Sequence, residues 1–145
     1  MPFKFVEGFA LADIAFEANG KTIEEMFESA AKATTNSMIA DLEKIELKKQ
    51  IKIKINADEP ERLLHDFLQE VIFYKDAKLL LFREYEIKIE QKVKTGKWEL
   101  RATFKGEKID MTKHELLVDV KAVSYHMFKV ENIRGKWKSF VILDV

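Results

Sequence analysis

The chain has 145 residues, with 25 basic and 25 acidic side chains, so its formal net charge is zero. Hydrophobic residues make up 47% of the sequence, enough for the core of one domain, and we predict a single domain over residues 1–145. Zero net charge argues against a dedicated nucleic-acid-binding protein, which needs a basic surface. The absence of cysteine excludes disulfides, thiolate metal sites and cysteine nucleophiles.

No apolar run approaches the roughly 20 residues that cross a bilayer. The first residues also do not show the basic start and long apolar stretch of a signal peptide. We therefore expect a cytoplasmic protein without membrane contact.

The first forty residues predict two strands and a helix. Residues 3–6 read as a short strand, and residues 14–18 alternate as a second one. Asn19 and Gly20 form a turn, and Thr22 with Glu25 has the spacing of a capping box. Apolar residues then recur at helical spacing, which predicts a helix over residues 23–38.

The middle of the chain predicts one strand and a second helix. Isoleucines alternate with lysines over residues 51–55, the pattern of a strand with one exposed face. Asp58 and Pro60 then have the spacing of an N-cap and an early helical proline. We expect this helix to end near Lys75 and Asp76.

The remaining residues are β in character. Strands are predicted over 79–82, 85–89, 98–104 and 118–130, followed by a last strand after Gly135, with turns at 95–96 and 105–107. A mixed first half followed by an all-β second half predicts an α+β domain, with two helices packed on a largely antiparallel sheet.

Common catalytic motifs are not found in the sequence. There is no glycine-rich phosphate loop and no nucleophile elbow. The histidines, His65, His114 and His126, include no close pair with zinc-ligand spacing. We expect His65 to face solvent on the polar flank of the second helix.

The end of the sequence combines an apolar strand with an acid. Asp144 brings its carboxylate close to the main-chain carboxylate of Val145. If the strand is docked, these like charges repel unless a cation neutralises them, and oxygen donors suit Ca²⁺, Mg²⁺ or Mn²⁺. The alternative is an exposed chain end screened by solvent, without a metal.

Other polar residues have two interpretations each. Asp13 begins an otherwise apolar strand and either lies at an exposed strand end or faces a site. Asp76 either belongs to a site or caps the second helix. By alternation Lys121 and Tyr125 share one strand face, which is either the lining of a polar cleft or ordinary surface.

The ordered series of residues along the whole chain resembles the archease family. The matching positions are residues 12–14, Gly20, 24–31, 63–72, Asp76, 81–82, 106–107, 114–115, 120–126 and 141–145. This resemblance implies a strand–helix–strand–strand module with an inserted β segment.

The resemblance also implies a function. The family is known as a cofactor protein for the RtcB-type RNA-splicing ligase, which joins RNA ends with GTP and a divalent metal. The expected role is therefore non-catalytic: it promotes ligase guanylylation and multiple turnover in tRNA splicing and RNA repair.

The site residues follow from the same resemblance. Asp13, Asp144 and the terminal carboxylate of Val145 are the expected ligands of a divalent metal ion, with Lys121, His126 and Asp76 lining or supporting the site. One position departs from the family pattern, because Ala10 stands where many members have a histidine. The missing histidine lowers the expected metal affinity.

Two other functions stay open at this point. The acids would also suit a small metal-dependent phosphoesterase, although no nucleophile or general base accompanies them. A neutral, mixed surface equally suits an adaptor or chaperone without a metal. In each case we expect a monomer, and the ligase-activator hypothesis requires no direct contact with nucleic acid.

Overall fold

The computed structural model of the chain describes residues 2–8 and 13–145. It contains two α-helices, one short 3-10 helix over Leu42–Lys44, and eight strands. In chain order the elements are β1 (Phe3–Val6), β2 (Asp13–Gly20), α1 (Ile23–Met38), β3 (Lys49–Ala57), α2 (Pro60–Lys78), β4 (Leu80–Gln91), β5 (Trp98–Lys108), β6 (Ala122–Val123), β7 (Lys129–Ile133) and β8 (Lys136–Asp144).

The strands form two sheets. The first has the order β1-β2-β8-β6, with β7 also paired to β8, and the second has the order β3-β5-β4. Every strand pair among the described residues is antiparallel. Helix α1 contacts both sheets, and α2 contacts β3, β4 and β5 as well as β6 and β7. The α+β class with an inserted β segment is therefore confirmed.

Helix α1 begins where the capping box predicts. The Thr22 hydroxyl accepts a hydrogen bond from the Glu25 amide at 3.1 Å, which satisfies one of the free N–H groups of the first turn. The Glu25 carboxylate in turn accepts from the Lys21 amide at 2.8 Å, one residue before the cap. The helix buries Met26, Phe27 and its alanines against the sheets.

Helix α2 differs from the prediction at both ends. Its N-cap is Glu59 rather than Asp58, and no side chain caps the first turn. It continues to Lys78 and stops at Leu79, which is left-handed with φ 56°. Neither helix has an apolar stretch that could cross a bilayer in the part of the chain that the structure describes.

Two predictions for the second sheet are wrong. Residues 80–91 form the single strand β4 with an irregular register between Phe82 and Glu84, rather than two strands. Gly106 and Glu107 lie within β5 and do not form a turn. A Cβ at Gly106 would lie 1.8 Å from the Leu81 carbonyl oxygen, so only glycine allows the two strands to approach this closely.

The predicted strand over residues 118–130 is wrong for most of its length. Only β6, Ala122–Val123, and the start of β7 are strand. Val120 and Val123 are both buried although they are three residues apart, which strict alternation does not allow. The segment is irregular because it crosses from the helices to the edge of the first sheet.

A cluster of aromatic rings joins the helices to the second sheet. Phe67 of α2 lies 5.6 Å from Phe27 of α1 and 5.5 Å from Phe104 of β5, measured between ring centroids. Tyr85 of β4 packs against Phe67 and Phe104, and its buried hydroxyl lies 2.9 Å from the Thr35 hydroxyl. Phe67 therefore bridges both helices and the inserted sheet.

Replacing this central ring tests the packing. Phe67→Ala should lower the free energy of unfolding by about 4 kcal/mol, because a fully buried aromatic side chain leaves a cavity. Urea denaturation followed by circular dichroism measures this. Phe73→Ala on the same helix removes a half-exposed ring and should cost less than about 1 kcal/mol. Equal losses in the two variants would contradict a central position for Phe67.

Candidate functional site

The pairing of β2 with β8 brings Asp13 directly opposite Asp144. Opposed residues of an antiparallel pair project from the same face of the sheet, with Cβ atoms about 5 Å apart. Asp13 is half-buried and Asp144 is exposed. The two acids therefore stand side by side at one end of the first sheet, although 130 positions separate them in the sequence.

On its other side, Asp144 is fixed by the segment that leads into β6. The Lys121 amide donates a hydrogen bond to the Asp144 carbonyl oxygen at 2.8 Å, and Ala122 is its partner in the register. The backbone of Asp144 is therefore held from two directions.

Val145 is also held in place. Its side chain is half-buried and packs against the main hydrophobic core. The residue after Asp144 therefore stays close to the acidic pair rather than projecting freely into solvent.

Among the described residues, the acidic pair has no neutralising basic partner. No lysine, arginine or histidine of the described residues lies within 4.0 Å of the carboxylate of Asp13 or Asp144, the range within which ion pairs form elsewhere in the structure. Like charges placed directly opposite one another destabilise a sheet. A cation held between them would remove that repulsion.

The pair does not extend to a larger ligand cluster. Within residues 2–8 and 13–145, no three side chains of His, Asp or Glu are grouped so that they could hold a metal ion. The side chains thus offer two carboxylates, and any further ligand would be a main-chain oxygen, the Val145 carboxylate or water. Such an oxygen-only set fits a hard, partly hydrated divalent ion. Ala10, where the family has a histidine, lies outside the described residues.

The three predicted supporting residues differ in their relation to this pair. Lys121 is adjacent, because its main-chain amide donates a hydrogen bond to the Asp144 carbonyl oxygen, and its side chain is exposed. His126 is exposed, and the contact found for it is a 3.0 Å hydrogen bond from its amide to the Ser124 hydroxyl. Asp76 lies on α2, where it forms a 2.6 Å ion pair with Lys75.

Lys75 connects α2 to the segment before β6. It donates hydrogen bonds to the Asp119 carboxylate and, at 3.0 Å, to the Val120 carbonyl oxygen. Burial would lower the pKa of Lys75, but the hydrogen bonds to Asp119 and Asp76 outweigh it and raise the pKa. Asp76 therefore belongs to a charged cluster that supports residues 119–121, one step away from the acidic pair.

The prediction that His65 faces solvent is wrong. Its ring is buried and stacks on Tyr125, with centroids 3.8 Å apart. Its Nε2–H donates to the Val123 carbonyl oxygen at 2.9 Å, while no hydrogen bond to its buried Nδ1 is found in the structure. The helical pattern could not show this, because the residues that cover His65 come almost sixty positions later.

Glu107 is a buried carboxylate that sequence reasoning missed, and it holds Lys113 and His114 of the following loop. Glu107 accepts hydrogen bonds from the Glu46 amide at 2.7 Å, from Lys113 Nζ at 2.8 Å and from His114 Nε2 at 3.1 Å. His114 Nδ1 accepts from the Asp110 amide at 2.9 Å, so its proton is on Nε2. Burial raises the pKa of Glu107, but these three donors outweigh it and lower the pKa to about 2.

The comparisons with known proteins agree with this architecture. The model of the archease protein family matches residues 3–145. Protein archease of Pyrococcus furiosus is 39% identical over 135 residues, covering 92% of this chain and 93% of that protein. Protein archease of Methanopyrus kandleri is 34% identical over 145 residues and all of both chains.

Solved structures are also similar. The solution structure of protein 1598 of Methanobacterium thermoautotrophicum has a TM-score of 0.85 and 34% identity, covering 99% of both chains. The crystal structure of an archease from Thermotoga maritima has a TM-score of 0.62 and 23% identity, a likeness of fold. The fold is thus an α+β domain in which two acids meet where β2 and β8 pair. The chain belongs to the archease family.

The lowered pKa of Glu107 predicts how stability depends on pH. The stabilisation that ionised Glu107 gives the folded state is fully present above about pH 4.5, the ordinary pKa of a glutamate, and is lost as the pH falls towards 2. Glu107→Gln should cost about 3 kcal/mol at pH 7, because it leaves buried donors without a charged acceptor.

Thermal unfolding from pH 7 to pH 2 measures this. The difference in Tm between the unmodified chain and Glu107→Gln should narrow between pH 4.5 and pH 2. Glu43→Gln, at a largely exposed side chain, is the matched control and should change Tm little at any pH. A constant difference across the pH range would contradict an ionised, buried Glu107.

Proposed function

We propose that this protein is a non-catalytic activator of an RtcB-type RNA-splicing ligase, and that Asp13 and Asp144 hold a divalent metal ion, Ca²⁺, Mg²⁺ or Mn²⁺. The carboxylate of Val145 is the third proposed oxygen donor. The single observation that supports this most is the register of β2 and β8, which sets two carboxylates opposite each other. Membership of the archease family supports the choice of the ligase as the proposed partner.

The chemistry of the ligase explains why an acidic pair would be useful. A divalent ion supplies positive charge that offsets the phosphate oxygens during nucleotidyl transfer. Asp13 and Asp144 would position that charge, because both are fixed by strand pairing rather than by flexible loops. Lys121 would support the pair through its main-chain hydrogen bond to Asp144.

The protein would act as a cytoplasmic monomer in tRNA splicing and RNA repair. RNA would be bound by the ligase rather than by this chain, since the chain has no net positive charge. Asp76 and His126 would support the site only indirectly. Asp76 would do so through its ion pair with Lys75, which holds Asp119 and Val120.

Isosteric variants test the acidic pair. Asp13→Asn and Asp144→Asn each remove one negative charge without changing the size of the side chain. Each should weaken metal binding at least tenfold in calorimetry and should lower the maximal stimulation of ligase guanylylation. Asp58→Asn, at an exposed carboxylate before α2, is the matched control and should behave like the unmodified chain.

A thermal readout separates metal binding from activation. Metal in excess should raise the Tm of the unmodified chain, because a ligand that binds the folded state stabilises it. The two Asn variants should lose this rise while keeping the same or a slightly higher Tm without metal, since the repulsion between the acids is removed. Undiminished stimulation by both variants would refute the metal role, and phosphoester turnover by the chain alone would refute the non-catalytic role.

A further inference from the structure

A cleft of about 320 Å³ lies between the C-terminal end of α2 and residues 116–118. Its walls are mainly apolar, and three of the apolar side chains are strongly exposed: Leu79 at 57%, Leu117 at 53% and Val118 at 41%. Single exposed apolar side chains are ordinary, but several around one concave surface mark an interaction site.

Leu79 is a costly residue at its position. It terminates α2 in the left-handed region, with φ 56° and ψ 38°, where glycine is normally found. This backbone conformation is unfavourable for a leucine, because its Cβ comes too close to the following carbonyl oxygen. Because its side chain is mostly exposed, the chain alone gains little burial in return, whereas a bound partner would cover it.

The charges at the cleft favour a basic partner. Its charged lining residues are Lys75, Asp76 and Asp119, and Lys75 is engaged by both acids. The side chains of Asp76 and Asp119 remain 53% and 74% exposed. The rim is therefore net negative. In a two-fold symmetric pair of this chain the same patch would meet itself, acid facing acid.

The cleft is continuous with the acidic pair. Leu117 and Val118 also line a neighbouring groove of about 690 Å³, whose wall includes Asp13. Three residues after Val118, the Lys121 amide donates a hydrogen bond to the Asp144 carbonyl oxygen. A partner seated in the cleft would therefore lie next to the groove that Asp13 lines.

We propose that this cleft is the docking site for the ligase, and that it receives an apolar side chain flanked by a lysine or arginine. This inference rests on the proposed function, because it takes the same ligase as the occupant. The apolar walls supply affinity, and the exposed acids select the basic neighbour.

Leu79→Gly tests the cleft without damaging the fold. The variant removes the exposed leucine and places the preferred residue at the left-handed position, so Tm should stay the same or rise. Its affinity for the purified ligase, measured by calorimetry, should fall at least tenfold, and Leu117→Ser should have a similar effect.

Two variants at the other end of the sheet are matched controls. Arg134→Gly changes another left-handed residue, with φ 54°, and Ile133→Ser changes another half-exposed apolar side chain. Both lie in the turn region before β8, opposite the end that carries Asp144. Neither should change the affinity for the ligase.

Guanylylation assays separate this inference from the proposed metal role. Cleft variants should raise the concentration of this protein needed for half-maximal stimulation, whereas Asp13→Asn should lower the maximum. If cleft variants bind the ligase as tightly as the unmodified chain, the docking site is refuted while the metal role stands. If they bind weakly but Asp13→Asn stimulates fully, the metal role fails and the docking site stands. A dimer of this chain that Leu79→Gly dissociates would show that a second copy is the occupant and would overturn the proposal.

Discussion

The antiparallel register between β2 and β8 is the constraint on which the candidate site depends. It consists of eight residue pairs, from Asp13 with Asp144 to Gly20 with Trp137. The register is set by the core, because a slip of one residue would turn the buried Phe16, Val141 and Leu143 outwards. Burial of each such side chain is worth about 2 kcal/mol, more than the repulsion between two opposed acids. The core therefore holds two like charges face to face.

Local patterns were sufficient to predict the elements whose stability is local. Helix α1 begins at the Thr22 cap, and β3 contains the alternating isoleucines. Both depend on contacts between near neighbours in the sequence, which composition and periodicity report directly. The meeting of Asp13 and Asp144 is different, since no spacing rule joins residues so far apart. It was expected only from the family resemblance.

The features that the sequence did not predict depend on distant partners. His65 is buried because residues 123–128 fold over α2, and Glu107 is ionised in the interior because Lys113 and His114 return to it from the following loop. A helical pattern or an isolated acid carries no sign of such contacts. The irregular path of residues 118–130 has the same origin, since its buried valines follow the shape of the core instead of a strand period.

The anchoring of Lys75 has a consequence for motion. The segment over residues 115–121 is attached at both ends of its path: the Ala40 amide donates to the Glu115 carbonyl oxygen, the Leu117 amide to that of Met38, and the Lys121 amide to that of Asp144, while Lys75 holds Asp119 and Val120. Contiguous segments can open as cooperative units without global unfolding. Loss of the contacts at the end of α2, or of those at the edge of the first sheet, should therefore speed amide hydrogen exchange throughout this segment. The two ends of the segment are coupled in this way.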